Sequence, residues 1–194
     1  GWRNYLPRSV YPSSRRSDER NLVADMQSSG YTYVNSGAAL NALDASNTSK
    51  LLGLFANSEM AYELDRVKMR LDEPSLSQMT SKALDVLSRN DKGFFLMVEA
   101  GRIDHALHGT NAKRALEDTL ALDEAVQTAL RVMEQKDPGL ANTLIVVTAD
   151  HDHAIAFNGY TKIGNPILGL VHDYSTGEVV KAADLCPADE LDQL

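Results

Sequence analysis

The sequence predicts an α/β fold built on a mostly parallel sheet, and three observations support this. Two runs, "GFFLMVE" (93–99) and "TLIVVTA" (143–149), are almost wholly apolar, as in strands that are buried on both faces of a parallel sheet. Between them, apolar residues recur at spacings of three and four over residues 111–136, which predicts a long amphipathic helix. A strand, a helix and a strand in this order form a βαβ crossover.

The remaining elements follow from shorter signals along the chain. Residues 1–19 are rich in Arg, Ser and Pro without any period, so we expect an irregular arm or loop there, with residues 1–194 forming part of a single domain. Short strands bounded by turn residues and helices with polar caps are expected next. The strands are predicted at 31–35 and 50–56, and the helices at 18–27, 36–43 and 75–87.

The composition excludes several classes of protein. The chain has 194 residues, 43% of them hydrophobic, which is enough for one sizeable core. Its net charge of −8 argues against nucleic-acid binding, although bound metals would still allow an anionic substrate. The single cysteine, Cys186, excludes an internal disulfide and a cysteine-based zinc site. No apolar run approaches a membrane span of about 20 residues, and because the chain starts at Gly1, the missing signal peptide leaves the compartment open.

Acidic residues and histidines follow both predicted central strands. Glu99, Asp104 and His108 come after the first strand, and the second runs directly into "DHDH" at 150–153. Ligands of open α/β sheets bind beyond the carboxyl ends of the strands, so the two clusters should meet at one edge of the sheet. A separation of four residues also places Asp104 and His108 on one face of a helical turn.

This combination of side chains favours a metal site. Carboxylate and imidazole donors without thiolate suit a catalytic zinc ion, and a lone carboxylate such as Glu99 suits magnesium. Each residue alone is more often structural: Asp104 would then cap a turn, and His105 and His153 would be surface residues. The joint placement of the two clusters favours metal binding, whereas His172 lies outside both and is interpreted as structural or exposed.

At this point the sequence resembles a known family. "GFFLMVEAGRIDHALH" and "TLIVVTADHDHAIAFNGYTKIGNPILGL" resemble the alkaline phosphatases, and "RNLVADMQSSGYTYV" and "LLGLFANSEMAYELDR" resemble the middle region of that family. The resemblance implies a three-layer α/β sandwich on a mostly parallel central sheet. It also implies hydrolysis of phosphate monoesters to inorganic phosphate through a phosphoserine, at a site with two Zn²⁺ ions and one Mg²⁺ ion. The family is typically dimeric and works outside the cytoplasm, in the periplasm, secreted or anchored at the surface.

The resemblance carries over to individual positions. Glu99 matches the family's magnesium ligand, Asp104 and His108 match two ligands of the first zinc, and Asp150 and His151 match ligands of the second zinc. His153 matches a position close to the metals, from which a side chain orients the ligands rather than binding a metal itself.

The departures from the family pattern define the alternatives. The family's nucleophilic serine and a third, histidine ligand of the first zinc match no position here, so we expect a central fragment that lacks turnover by itself. One alternative is another metalloenzyme of the same superfamily: a phosphodiesterase, a sulfatase or a cofactor-independent phosphoglycerate mutase. A second alternative is a non-catalytic metal-binding or structural polypeptide.

Overall fold

A computed structural model of the protein describes residues 1–153, 155 and 161–180. The chain divides into two compact units, Gly1–His153 and Ala154–Leu194. The first unit contains six α-helices and two β-strands among the described residues. In chain order these are α1 (Leu22–Ser28), β1 (Thr32–Val34), α2 (Gly37–Ala42), β2 (Leu51–Gly53), α3 (Glu63–Met69), α4 (Leu76–Leu87), α5 (Arg102–His108) and α6 (Ala112–Lys136).

Polar side chains set where the helices begin. The Ser36 hydroxyl accepts a hydrogen bond from the backbone N–H of Ala39, so α2 starts where the sequence predicts. Asn111 caps α6 in the same way. The first helix starts later than predicted, at Leu22, because Asn21 rather than Asp18 supplies the cap.

The two strands form a parallel pair. Their register aligns Thr32 with Leu51 and Val34 with Gly53. Val34 is buried, as is Leu54 directly after β2, so the pair presents one apolar side to the interior. Parallel pairing together with flanking helices confirms the predicted α/β class.

Two long helices, α4 and α6, form the main helical contact of the first unit. Both show the predicted stripe of small and apolar residues at spacings of three and four. The short helix α5 packs against α6 as well, with Ala106 almost completely buried. The buried positions of the longer helices are Thr80 and Leu84 on α4, and Ala115, Ala125 and Met133 on α6.

The two apolar runs that were predicted to be buried central strands differ from that prediction. Residues 93–99 and 143–149 have no regular secondary structure. Phe95 is 88% exposed and Leu144 is 86% exposed. The physical reason is that a strand exists only through backbone hydrogen bonds to a neighbour, and among the described residues no backbone hydrogen bond reaches 94–99 or 144–149.

The second unit is described over residues 155 and 161–180. Antiparallel bridges join Thr161 to Asp173 and His172 to Val179. His172 also donates its backbone N–H to the side chain of Asn165, and its ring nitrogen Nδ1 lies 2.9 Å from the carbonyl oxygen of Gly177. This histidine therefore has structural contacts inside its own unit. Across the described part of the chain, no helix is both long enough and apolar enough to cross a bilayer.

Candidate metal centre

Helix α5 carries the first two predicted ligands. It begins at Arg102, directly after Gly101, and its seven residues place Asp104 and His108 one turn apart. Asp104 Oδ1 lies 3.5 Å from His108 Nε2. This i, i+4 pair thus faces one direction, as its spacing predicts.

Two histidines of the second cluster lie close to the carboxylate of Asp104. His151 Nε2 lies 3.8 Å from Asp104 Oδ1 and 3.5 Å from Asp150 Oδ2. His153 Nε2 lies 3.7 Å from the same oxygen of Asp104. The rings of His108 and His153 meet edge to face, with centroids 4.6 Å apart. The structure therefore brings together residues that are more than 40 positions apart in sequence, with Asp104 at the centre.

The cluster is closed on one side and open on the other. The side chain of His153 is only 16% exposed and lies innermost, whereas that of Asp150 is 86% exposed. The side chain of Asp104 has an intermediate exposure. The side chains of His108 and His151 are more exposed to solvent than that of Asp104. The side of Asp150 is therefore the exposed side of the cluster.

Three of these side chains have the geometry of a metal-binding group. One donor atom each from Asp104, His108 and His153 lies within 4.8 Å of the other two. Zinc binds imidazole nitrogen and carboxylate oxygen at about 2 Å, so small side-chain adjustments would bring all three donors to one ion. Three protein donors with an open fourth position are typical of catalytic zinc.

The local charges favour a cation. The pKa of His151 is raised above its ordinary value, first because Nδ1 makes a 2.7 Å hydrogen bond to the carbonyl oxygen of Asp152. The carboxylates of Asp150 and Asp104 raise it further. The same two carboxylates would attract a metal cation at this place.

Glu99 is the predicted ligand that does not join this cluster. Its side chain lines a separate pocket of about 260 Å³, together with Arg102 and His105. Its carboxylate folds back over Gly101, where an added Cβ would come within 3.2 Å of Glu99 Oε1. Glycine at position 101 thus leaves room for this carboxylate at the start of α5.

The structure gives contacts for His153 and for two residues to which the sequence pattern gave no role. The sequence pattern placed His153 behind the ligands, and in the structure it lies as close to Asp104 as His151 does. The two other residues are Tyr62 and Arg102, whose ring and guanidinium stack on each other. Arg102 lies two positions before Asp104 in a short helix, and that spacing was the only available signal.

Taken together, an α/β unit with a compact Asp and His donor set defines a candidate metal-binding protein. Comparison with known proteins identifies the family. A family model described as alkaline phosphatase matches residues 3–182, so the chain belongs to the alkaline phosphatase family.

Individual relatives agree with this assignment. The chain is 50% identical to the tissue-nonspecific isozyme of alkaline phosphatase from Rattus norvegicus over 138 residues, which cover 71% of this chain and 25% of that protein. It is 37% identical to the membrane-bound alkaline phosphatase of Bombyx mori, over 92% of this chain and 33% of that protein. The crystal structure of Thermus thermophilus alkaline phosphatase aligns with a TM-score of 0.59 and 37% identity, over 69% of this chain and 27% of that one. The chain thus spans a quarter to a third of the length of these relatives.

Proposed function

We propose that the protein to which these residues belong hydrolyses phosphate monoesters, using two Zn²⁺ ions and one Mg²⁺ ion, through a phosphoserine. The observation that carries this proposal is the convergence of Asp104, His108, His151 and His153, within an alkaline phosphatase family chain. A hydrolase of charged phosphate esters needs positive charge at the reacting phosphorus, and this acidic chain can obtain it from bound metals.

The side chains divide among three proposed ion sites. Asp104 and His108 would hold the first zinc, with His153 as the third donor that the geometry offers. Asp150 and His151 would hold the second zinc, beside the first because His151 lies near both carboxylates. Glu99 would hold magnesium from the neighbouring pocket.

Bound metals would act as Lewis acids that neutralise the phosphate and stabilise the attacking and leaving oxygens. Before any metal binds, the Nε2 atoms of His108, His151 and His153 lie within 3.8 Å of Asp104 Oδ1. An imidazole binds a metal only when it is neutral, so zinc affinity should fall as the pH is lowered. The attacking serine would come from residues other than those of this chain.

Two further features belong to the same proposal. A membrane-bound relative supports an extracytoplasmic or surface location. The family resemblance supports a homodimer, with phosphate monoesters and inorganic phosphate as the small-molecule partners.

The test uses the complete protein that carries these residues. The protein is stripped with a chelator and then assayed with p-nitrophenyl phosphate at alkaline pH while zinc and magnesium are restored. Activity should return only with metal. Asp104→Asn should lower kcat/KM by at least about a hundredfold, because it removes charge from the carboxylate shared by three imidazoles.

A matched control and two competing substrates sharpen this test. Asp123→Asn makes the same chemical change on the exposed face of α6 and should leave activity unchanged. The diester bis(p-nitrophenyl) phosphate and p-nitrophenyl sulfate should react far more slowly than the monoester. Preference for either of them would favour a phosphodiesterase or a sulfatase, and equal activity of Asp104→Asn and wild type would refute the metal assignment.

A further inference from the structure

The ring of Tyr62 contacts two arginines, one of them on the helix that carries Asp104 and His108. The guanidinium carbon of Arg102 lies 3.7 Å from the centroid of the Tyr62 ring, and that of Arg114 lies 4.6 Å from it. Both distances are well inside the range of about 6 Å over which a cation is attracted to an aromatic face. One ring therefore links the first residue of α5 to the first turn of α6.

The start of α3 is tied to the same place. The N–H of Glu63, its first residue, points at the Asp118 carboxylate oxygens of α6, at 3.2 and 3.4 Å. Tyr62 itself provides no side-chain cap for α3, so the buried Asp118 supplies it from another helix. Asp65 of α3 forms an ion pair with Arg114 at 2.8 Å. Helices α3, α5 and α6 thus meet around the Tyr62 ring.

Helix α5 needs such support. It has only seven residues, and isolated helices shorter than about 12 residues are marginal in water. Positions 102 and 106 lie one turn apart on the same face, and the spacing of two residues between 102 and 104 corresponds to roughly 200° around the helix axis. Arg102 and Ala106 therefore anchor one face of α5, and the opposite face presents Asp104 and His108.

Arg102 has a second contact within the helix. Its guanidinium donates to Nδ1 of His105 at 2.7 Å, which fixes the guanidinium plane while it lies against Tyr62. Rotation or tilt of α5 would break this arrangement and would move Asp104 and His108 together, since both belong to the same two turns.

We propose that Tyr62 and Arg102 are positioning residues for the metal centre. They fix the rotation of α5 and hence the position of the Asp104 and His108 pair relative to His151 and His153. This inference rests on the proposed function, because it assumes that these two side chains hold zinc.

The experiment measures zinc binding by the complete protein carrying Tyr62→Leu or Tyr62→Phe. Leucine removes the aromatic face and phenylalanine keeps it. Zinc affinity is obtained by competition with a chromophoric chelator, and Co²⁺ substitution reports the ligand geometry through its visible absorption spectrum. Tyr62→Leu should weaken zinc binding by about tenfold and should change the Co²⁺ spectrum. Tenfold is the lower end of the loss in metal affinity when a residue that orients the ligands is removed. Tyr62→Phe should behave like wild type in both measurements.

The control is a second half-buried tyrosine with a cation above its ring. Tyr31 lies 5.5 Å from Lys50 Nζ at the start of the sheet, so Tyr31→Leu loses a similar contact away from α5. It should keep the wild-type zinc affinity and Co²⁺ spectrum. Should Tyr62→Leu not fold, Arg102→Gln replaces it, with the same weakened zinc binding and changed spectrum expected.

The outcomes separate this inference from the function on which it rests. If wild type binds zinc and Asp104→Asn does not, but Tyr62→Leu matches Tyr31→Leu, the positioning role is refuted and the metal centre stands. Equal loss in Tyr62→Phe and Tyr62→Leu would also refute it, because the phenol hydroxyl rather than the ring face would then matter. A wild-type protein without zinc affinity would overturn the metal centre, and this inference with it.

Discussion

At the scale of single residues, Asp104 organises the candidate site. Its Oδ1 atom lies within 3.8 Å of the Nε2 atoms of three different histidines. In the proposed metal centre these side chains would be ligands. Because an imidazole binds a metal only when it is neutral, protons and zinc would compete for them.

Much of this residue pattern could be predicted from the sequence. The spacing of Asp104 and His108 fixes one helical face, and the placement of Asp150 and His151 after a second apolar run predicted that the two clusters would meet. The position of Glu99 in a separate pocket was not predictable, because its close approach to Gly101 depends on the course of the backbone before α5. The Tyr62 stack depends on the packing of three helices, which no local sequence pattern specifies.

The first prediction concerns Asp118. Burial raises the pKa of this carboxyl group above its ordinary value. A carboxyl group whose pKa is higher in the folded state favours folding while protonated, and that contribution is lost as pH rises through the folded pKa. Asp118→Asn removes the buried charge and retains an oxygen that accepts from Glu63 N–H. The free energy of unfolding of this variant relative to wild type should therefore increase as the pH rises above about 4, the ordinary pKa of an aspartate.

Urea unfolding at several pH values measures this difference. Asp118→Ala is the companion variant, because it removes both the charge and the acceptor. It should cost about 1 kcal/mol, as does the loss of a helix cap. A stability difference between Asp118→Asn and wild type that stays constant with pH would contradict the assigned pKa shift.

At the scale of elements, polar caps account for the helices that were predicted well. The serine at position 75 is the strongest case. Its hydroxyl accepts from Gln78 N–H, and the Gln78 side chain accepts from Ser75 N–H, which completes a capping box. Such local bonds form whatever surrounds the helix, which is why the sequence alone placed the start of α4.

The second prediction tests this cap. Ser75→Ala should lower the free energy of unfolding by about 1 kcal/mol, because the first turn of α4 then leaves an N–H group without its side-chain acceptor. Ser81→Ala makes the same change in the interior of α4, where alanine favours the helix, and should be neutral or slightly stabilising. Chemical denaturation of both variants gives the comparison, and equal stability of the two would show that the cap contributes nothing.

The strands were predicted less well for a physical reason. The runs 93–99 and 143–149 have the residues of buried strands, but a strand also requires hydrogen-bonding neighbours from elsewhere in the sequence. The short strands β1 and β2 form backbone hydrogen bonds with each other. Composition therefore predicts the tendency to form a strand, and tertiary contacts decide whether it forms.

At the scale of the whole molecule, the same two runs lead into the candidate site. Glu99 ends the first run, and Asp150 follows the second directly. Neither run has backbone hydrogen bonds among the described residues beyond its first residue. Glu99 therefore lies in the pocket beside α5, whereas Asp150 contacts His151 within the cluster and lies open to solvent.

The final prediction follows from this openness. The 194-residue chain by itself should show no hydrolysis of p-nitrophenyl phosphate with zinc and magnesium at alkaline pH. Electrostatic stabilisation of a transition state depends on donors held in a site that excludes water, and charges exposed to bulk water interact with only about 1 kcal/mol at 4 Å. The purified chain is assayed beside the complete protein, while amide hydrogen exchange follows residues 94–98 and 144–148. Those amides should exchange rapidly in the chain alone, and the interior amides of α6 should remain protected. Turnover that rises in proportion to chain concentration and disappears with a chelator would show that the exposed cluster suffices for catalysis, contrary to this prediction.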